Sequence, residues 1–120
     1  MKYLALIYDV EDAGPEPGTP AFDTYMERWH AADNAFREAG VLVGGEALQP
    51  SATSTRVRIR GGKTETMDGP FAETKEQLGG YYLFECDNLD EALKYAAMIP
   101  VDDTGTVEVR PIMAFSEDDA

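Results

Sequence analysis

The chain predicts an α+β domain in which two helices cover one face of a mostly antiparallel sheet, laid out as a split βαβ plan. Three observations carry that expectation. Two strand-helix-strand runs occur, at residues 2–48 and 78–113; an alternating hairpin pattern stands between them; and each helix opens on a capping residue. With 120 residues and 43% hydrophobic content, the chain has material for one packed core and none for a second domain. Residues 1–115 therefore read as a single domain, and 116–120 as a disordered tail.

Residues 2–8 are short and β-rich, matching a central strand covered on both faces. Four acids, two prolines and two glycines between Asp9 and Thr19 then break any period. That loop is either a solvated connector or a lid over a ligand. Thr19 followed by Pro20 caps a helix over 20–39, and Asp23 suits its positive end.

On a helical wheel, Phe22, Tyr25, Met26, Trp29, Ala32 and Phe36 share one face. Asp33 interrupts that stripe, where an unpaired carboxylate would be costly. His30 and Arg37 stand at the helical spacings that meet it. Two accounts stay open: an acid, a base and a guanidinium facing a cavity, or a surface salt bridge with the histidine at its rim.

Gly40 ends the helix, and residues 41–48 return as a strand whose Gly44 and Gly45 suggest a bulge or a close backbone approach. Glu46 lies on the face opposite Val41 and Val43, toward a pocket or toward water. Thr55 to Arg60 alternates, turns at Gly61 and Gly62, and returns through Met67 as a hairpin. Arg56, Arg58, Arg60 and Lys63 on it form either an anion-steering patch or a wet face that resists edge pairing. An aromatic strand follows at 78–86. Asn88 caps a second helix, with Leu89, Ala92, Leu93 and Ala96 as its apolar face, and 107–113 is the last strand.

A net charge of −13 repels nucleic-acid phosphates and anionic membranes, so neither is an expected partner. No run approaches the length of a membrane span, and the single cysteine, Cys86, cannot form an internal disulfide, so a cytoplasmic protein is expected. There is no P-loop, G-x-G-x-x-G, nucleophile motif or His/Cys cluster, and hence no expected cofactor or metal. Apolar residues on both faces of the strands at 2–8 and 81–86 exceed what one helix layer buries. A homodimer joined sheet to sheet is the natural solution.

Between Asp68 and Gly80 the chain concentrates special chemistry. Asp68, Gly69 and Pro70 suit a tight turn, Phe71 offers a flat wall, and Glu73, Lys75 and Glu76 bring charge beside it. Asp68 is either a turn former or, poorly solvated in a cleft, a proton carrier, with Lys75 near it.

Residues 68–85, DGPFAETKEQLGGYYLFE, resemble the signature of the DGPF-motif branch of the YCII-related family. The resemblance extends through AGVLVGGEALQP at 39–50 and TVEVRPIM at 106–113. It implies a ferredoxin-like dimeric α+β barrel, a pocket using a His-Asp pair, and roles that include lyase chemistry. It also implies a link to sigma-factor regulation. Counted back from Gly40, the family's helical histidine falls on Trp29, with His30 one residue later and about 100° further round the helix. Two functions follow. One is proton-transfer or lyase-type chemistry on a small organic or aromatic molecule, with Asp68, His30 and Asp33 as catalytic candidates and Phe71, Lys75, Trp29, Arg37, Glu46 and Tyr82 around the ligand. The other is a non-catalytic ligand-sensing or protein-interaction module with a regulatory partner.

Overall fold

The computed structural model describes residues 1–69 and 75–115. Four strands make one antiparallel sheet: β1 (Lys2–Val10), β2 (Leu42–Ala47), β5 (Glu76–Glu85) and β6 (Thr106–Pro111), in the order β2-β5-β1-β6. Helix α1 (Pro20–Glu38) joins β1 to β2, and α2 (Leu89–Ala96) joins β5 to β6. Each helix thus connects strands that another strand separates, which is the split βαβ arrangement. The hairpin strands β3 (Thr55–Arg60) and β4 (Lys63–Asp68) form a separate two-stranded sheet. No described helix is long and apolar enough to cross a membrane.

Local chemistry sets the helix ends. The Thr19 hydroxyl accepts the Phe22 N–H at 3.2 Å, with Pro20 in the first turn. At the other end Gly40 takes φ +71°, so that its N–H reaches Arg37 O at 3.1 Å and the Val41 N–H reaches Phe36 O at 3.2 Å. These two bonds form a Schellman motif, and Val41 and Phe36 are both buried beside it. Asn88 caps α2 by accepting the Glu91 N–H at 2.9 Å.

Alternation decides what the sheet buries. Tyr3, Ala5 and Ile7 of β1 face the helices with Phe84 of β5, while Leu4, Leu6 and Tyr8 stay half-exposed on the other face. Within one chain, β1 is therefore covered on one side, not both, in a body only 19 Å thick. Phe36 holds the core together. Its ring lies 4.9 Å from Phe84, 5.2 Å from Tyr82 and 6.2 Å from Tyr95, each edge to face.

The second helix is rotated from the expected stripe. Ala92 and Ala96 are buried and bring α2 close to β1 and β6, whereas Leu89 and Leu93 are 44% and 45% exposed. Two small residues one turn apart permit that approach, and turning the leucines inward would hold the helix away. Two further boundaries move. β1 runs on to Val10, so Asp9 belongs to a strand and not to the loop; β5 begins at Glu76, two residues ahead of the expected start at Leu78. The tail at 116–120 and Phe71 lie outside the described residues.

Candidate functional site

Helix α1 overhangs the end of the sheet where its side chains are smallest. A cleft of about 460 Å³ opens there, walled by Tyr25, Met26, Trp29 and Asp33 and floored by Ile7, Asp9 and the segments 45–47 and 79–82. Glycine makes the floor. A Cβ on Gly45 would come within 2.7 Å of both Tyr81 O and the Tyr82 ring, and one on Gly80 within 2.8 Å of Glu46 O. The absent side chains let β2 and β5 draw together beneath the helix. A bulge between Leu42 and Gly44, and another opposite Ile7 and Tyr8, re-aim both strands at this point.

The wall is aromatic. Tyr25 stands edge-on to Trp29 at 6.1 Å, and Phe22 follows at 6.4 Å from Tyr25. Among the described residues the buried Trp29 Nε1–H meets no hydrogen-bond acceptor, a costly condition for an indole. Tyr82 crosses the floor with its ring stacked on Phe84. Burial raises its phenol pKa, nearby Asp33 raises it further, and Arg37 opposes the shift.

Two carboxylates reach the cleft in different settings. Asp33 accepts a hydrogen bond from Arg37 Nε at 2.7 Å, an i,i+4 pair that supplies a counter-charge. Asp9 continues the inward set of Tyr3, Ala5 and Ile7 at the end of β1. Its pKa is raised, first by burial and then by the charge of Asp102, with a lesser contribution from Glu76; bonds to the Val10 N–H and Thr104 work the other way. Among the described residues, no lysine or arginine forms a salt bridge with Asp9 or Asp102.

The structure gathers Trp29, Asp33, Glu46 and Tyr82 around this one cleft. Glu46 contributes through its strand: it pairs with Tyr81, on the face away from the helices, and its side chain is exposed. Arg37 lies just outside as the partner of Asp33. His30 is exposed on α1 and is not part of the wall. Asp68 stands at the root of the hairpin, accepting a hydrogen bond from the Thr55 hydroxyl at 3.1 Å. Lys75 is exposed just ahead of β5, and Phe71 lies outside the described residues.

Asp9, Tyr25 and Met26 are cleft residues absent from the expected ligand set. The period of β1 was the available signal for Asp9, since it repeats the inward positions two residues beyond Ile7. No group of three or more His, Cys, Asp or Glu side chains is placed to hold a metal among the described residues.

The YCII-related domain model matches residues 1–116. An uncharacterised protein of Rhizobium meliloti (strain 1021) is 38% identical over 117 residues, covering 96% of this chain and 94% of that protein.

Proposed function

From the premise that this chain belongs to the YCII-related domain family, and from the chemistry of its cleft, we propose that it binds a small, flat organic molecule beneath α1 and performs acid-base chemistry on it. The observation that carries this reading is the aromatic wall of Tyr25 and Trp29 standing over a glycine floor, with Asp9 and Asp33 lining the same cleft. Tyr25 and Trp29 supply the apolar face against which a flat molecule lies.

Asp9 is the proton carrier in this reading. Its raised pKa keeps the proton to higher pH than an ordinary carboxylate, which suits a group that both gives and takes one. Asp33, held by Arg37, orients a donor group of the ligand, and the Tyr82 hydroxyl donates beside it. A step consistent with this set removes a proton from the ligand to Asp9 and returns it at a neighbouring atom, or expels a leaving group. With two carboxylates in the cleft and a net charge of −13, neutral or cationic compounds fit better than anions.

Assembly belongs to the same reading. Leu4, Leu6, Tyr8, Tyr81 and Leu83 form a half-exposed apolar stripe on the uncovered face of the sheet. Packing two such faces together makes a homodimer of the dimeric α+β barrel kind. The run Asp68-Gly69-Pro70-Phe71 supports assigning the chain to the DGPF-motif branch of that family.

The test is a panel of neutral, cationic and anionic aromatic compounds in thermal-shift and turnover assays. Neutral or cationic compounds should stabilise the wild type, and Asp9→Asn should abolish turnover while retaining their binding. Preference for anions, or full turnover by Asp9→Asn, would contradict the proposal.

A further inference from the structure

The β3–β4 hairpin has the properties of an arm without its counterpart. Every residue of both strands is exposed, including Val57 at 66%, Ile59 at 72% and Met67 at 46%. Its turn is tight and well formed, with Gly61 at φ +56° and Gly62 at φ +77°, the primed turn that suits a two-residue loop. Its root is pinned. The Glu11 carboxylate accepts the Ser51 N–H at 2.6 Å and the Ser51 hydroxyl at 2.9 Å, and the Gly69 N–H reaches Ser54 O at 2.7 Å. A ribbon so anchored, yet covered on neither face, is marginal in water by itself.

Register divides the ribbon into two sides. Val57 and Ile59 share one with Thr64 and Thr66; Arg56, Arg58, Arg60 and Lys63 share the other with Glu65 and Met67. Arg58 and Glu65 approach to 3.7 Å within the arm. Four of the ten basic residues and two of the twenty-three acids lie in 55–68, leaving six cations against twenty-one acids elsewhere. A basic arm therefore projects from an acidic body. Each copy of the chain carries both the arm and the surface that complements it.

Building on the dimer reading above, we infer that the β3–β4 arm clasps a second copy of this chain. The Val57 and Ile59 side lies on that copy, and the arginine stems reach past the ribbon's edges to its acids.

Sedimentation equilibrium on the full chain, with hydrogen exchange at 55–68, tests this. The variants are Val57→Thr with Ile59→Thr, which keeps β-branching, and Arg58→Glu with Arg60→Glu. Each pair should raise the dimer Kd about tenfold or more with an unchanged circular dichroism spectrum. Raising salt from about 50 to about 500 mM should weaken the wild-type dimer more than the charge-reversed one. Wild-type exchange at 55–68 should slow as concentration passes the Kd. A dimer whose Kd ignores both pairs, with 55–68 exchanging at the unprotected rate, would overturn the clasp and leave the sheet dimer standing. So would protection that arises only when a different macromolecule is added. A monomer at every concentration would overturn both.

Discussion

The two ends of α1 carry the same class of residue at the same spacing and have different fates. At the C-terminal end Ala32 and Phe36 are buried, with Phe36 seated among Tyr82, Phe84 and Tyr95. At the N-terminal end Tyr25, Met26 and Trp29 remain half-buried over a floor that includes Gly45, Gly79 and Gly80. The opposing strands make the difference. Where the sheet offers Phe84, an aromatic helix face closes into core; where it offers glycine, the same face roofs a cleft.

The largest test of that contrast is Phe36→Ala. Removing the central ring should cost about 3–5 kcal/mol, read as a fall in the denaturation midpoint. A loss below about 1 kcal/mol would mean that the C-terminal end is not the anchored one.

The floor gives the next effect. Gly80→Ala should destabilise by about 1–3 kcal/mol, because its methyl would lie 2.8 Å from Glu46 O on the neighbouring strand. Gly79→Ala, whose nearest contact would be Ile7 O at 3.9 Å, should stay within about 0.5 kcal/mol in the same assay. Equal costs at the two positions would remove the close β2–β5 approach from the account.

Trp29→Phe should change stability by less than about 1 kcal/mol, since it trims the wall but also removes a buried donor that meets no acceptor among the described residues. Calorimetric titration should show ligand affinity falling about tenfold, because the wall loses part of its flat aromatic face. A stability loss as large as that of Phe36→Ala would make Trp29 a core residue.

The smallest effect is the pH dependence from Asp9. Its carboxyl keeps a proton to higher pH when folded than when unfolded, so the folded chain binds more protons in that window. Stability from this group is fully present below the ordinary value of 3.8 and is lost as pH rises through the raised one. Subtracting the Asp9→Asn melting profile from the wild-type profile should therefore leave a midpoint difference that declines with pH across that window. A difference that rises instead would reverse the assignment.

The fold was legible where its cause is local. Thr19, Gly40 and Asn88 end or begin helices through bonds within a few residues, and Gly61 and Gly62 suffice for a tight turn. Facts settled by distant partners were harder to read. Leu89 and Leu93 face outward because Ala92 and Ala96 seat the helix on strands far away in sequence. Asp9 resembles the loop acids that follow it until β1 is seen to run to Val10. The floor needed β2 and β5 to be neighbours, and the strand order that makes them so is a property of the whole sheet.

Trp29 is the only tryptophan, so its emission reports on the cleft alone. The most direct test is to follow that emission while titrating a compound that stabilises the protein. A saturable change, with a midpoint matching the calorimetric Kd, is the predicted result. Calorimetric binding that leaves the emission unmoved would place the ligand elsewhere and contradict the cleft as the functional site.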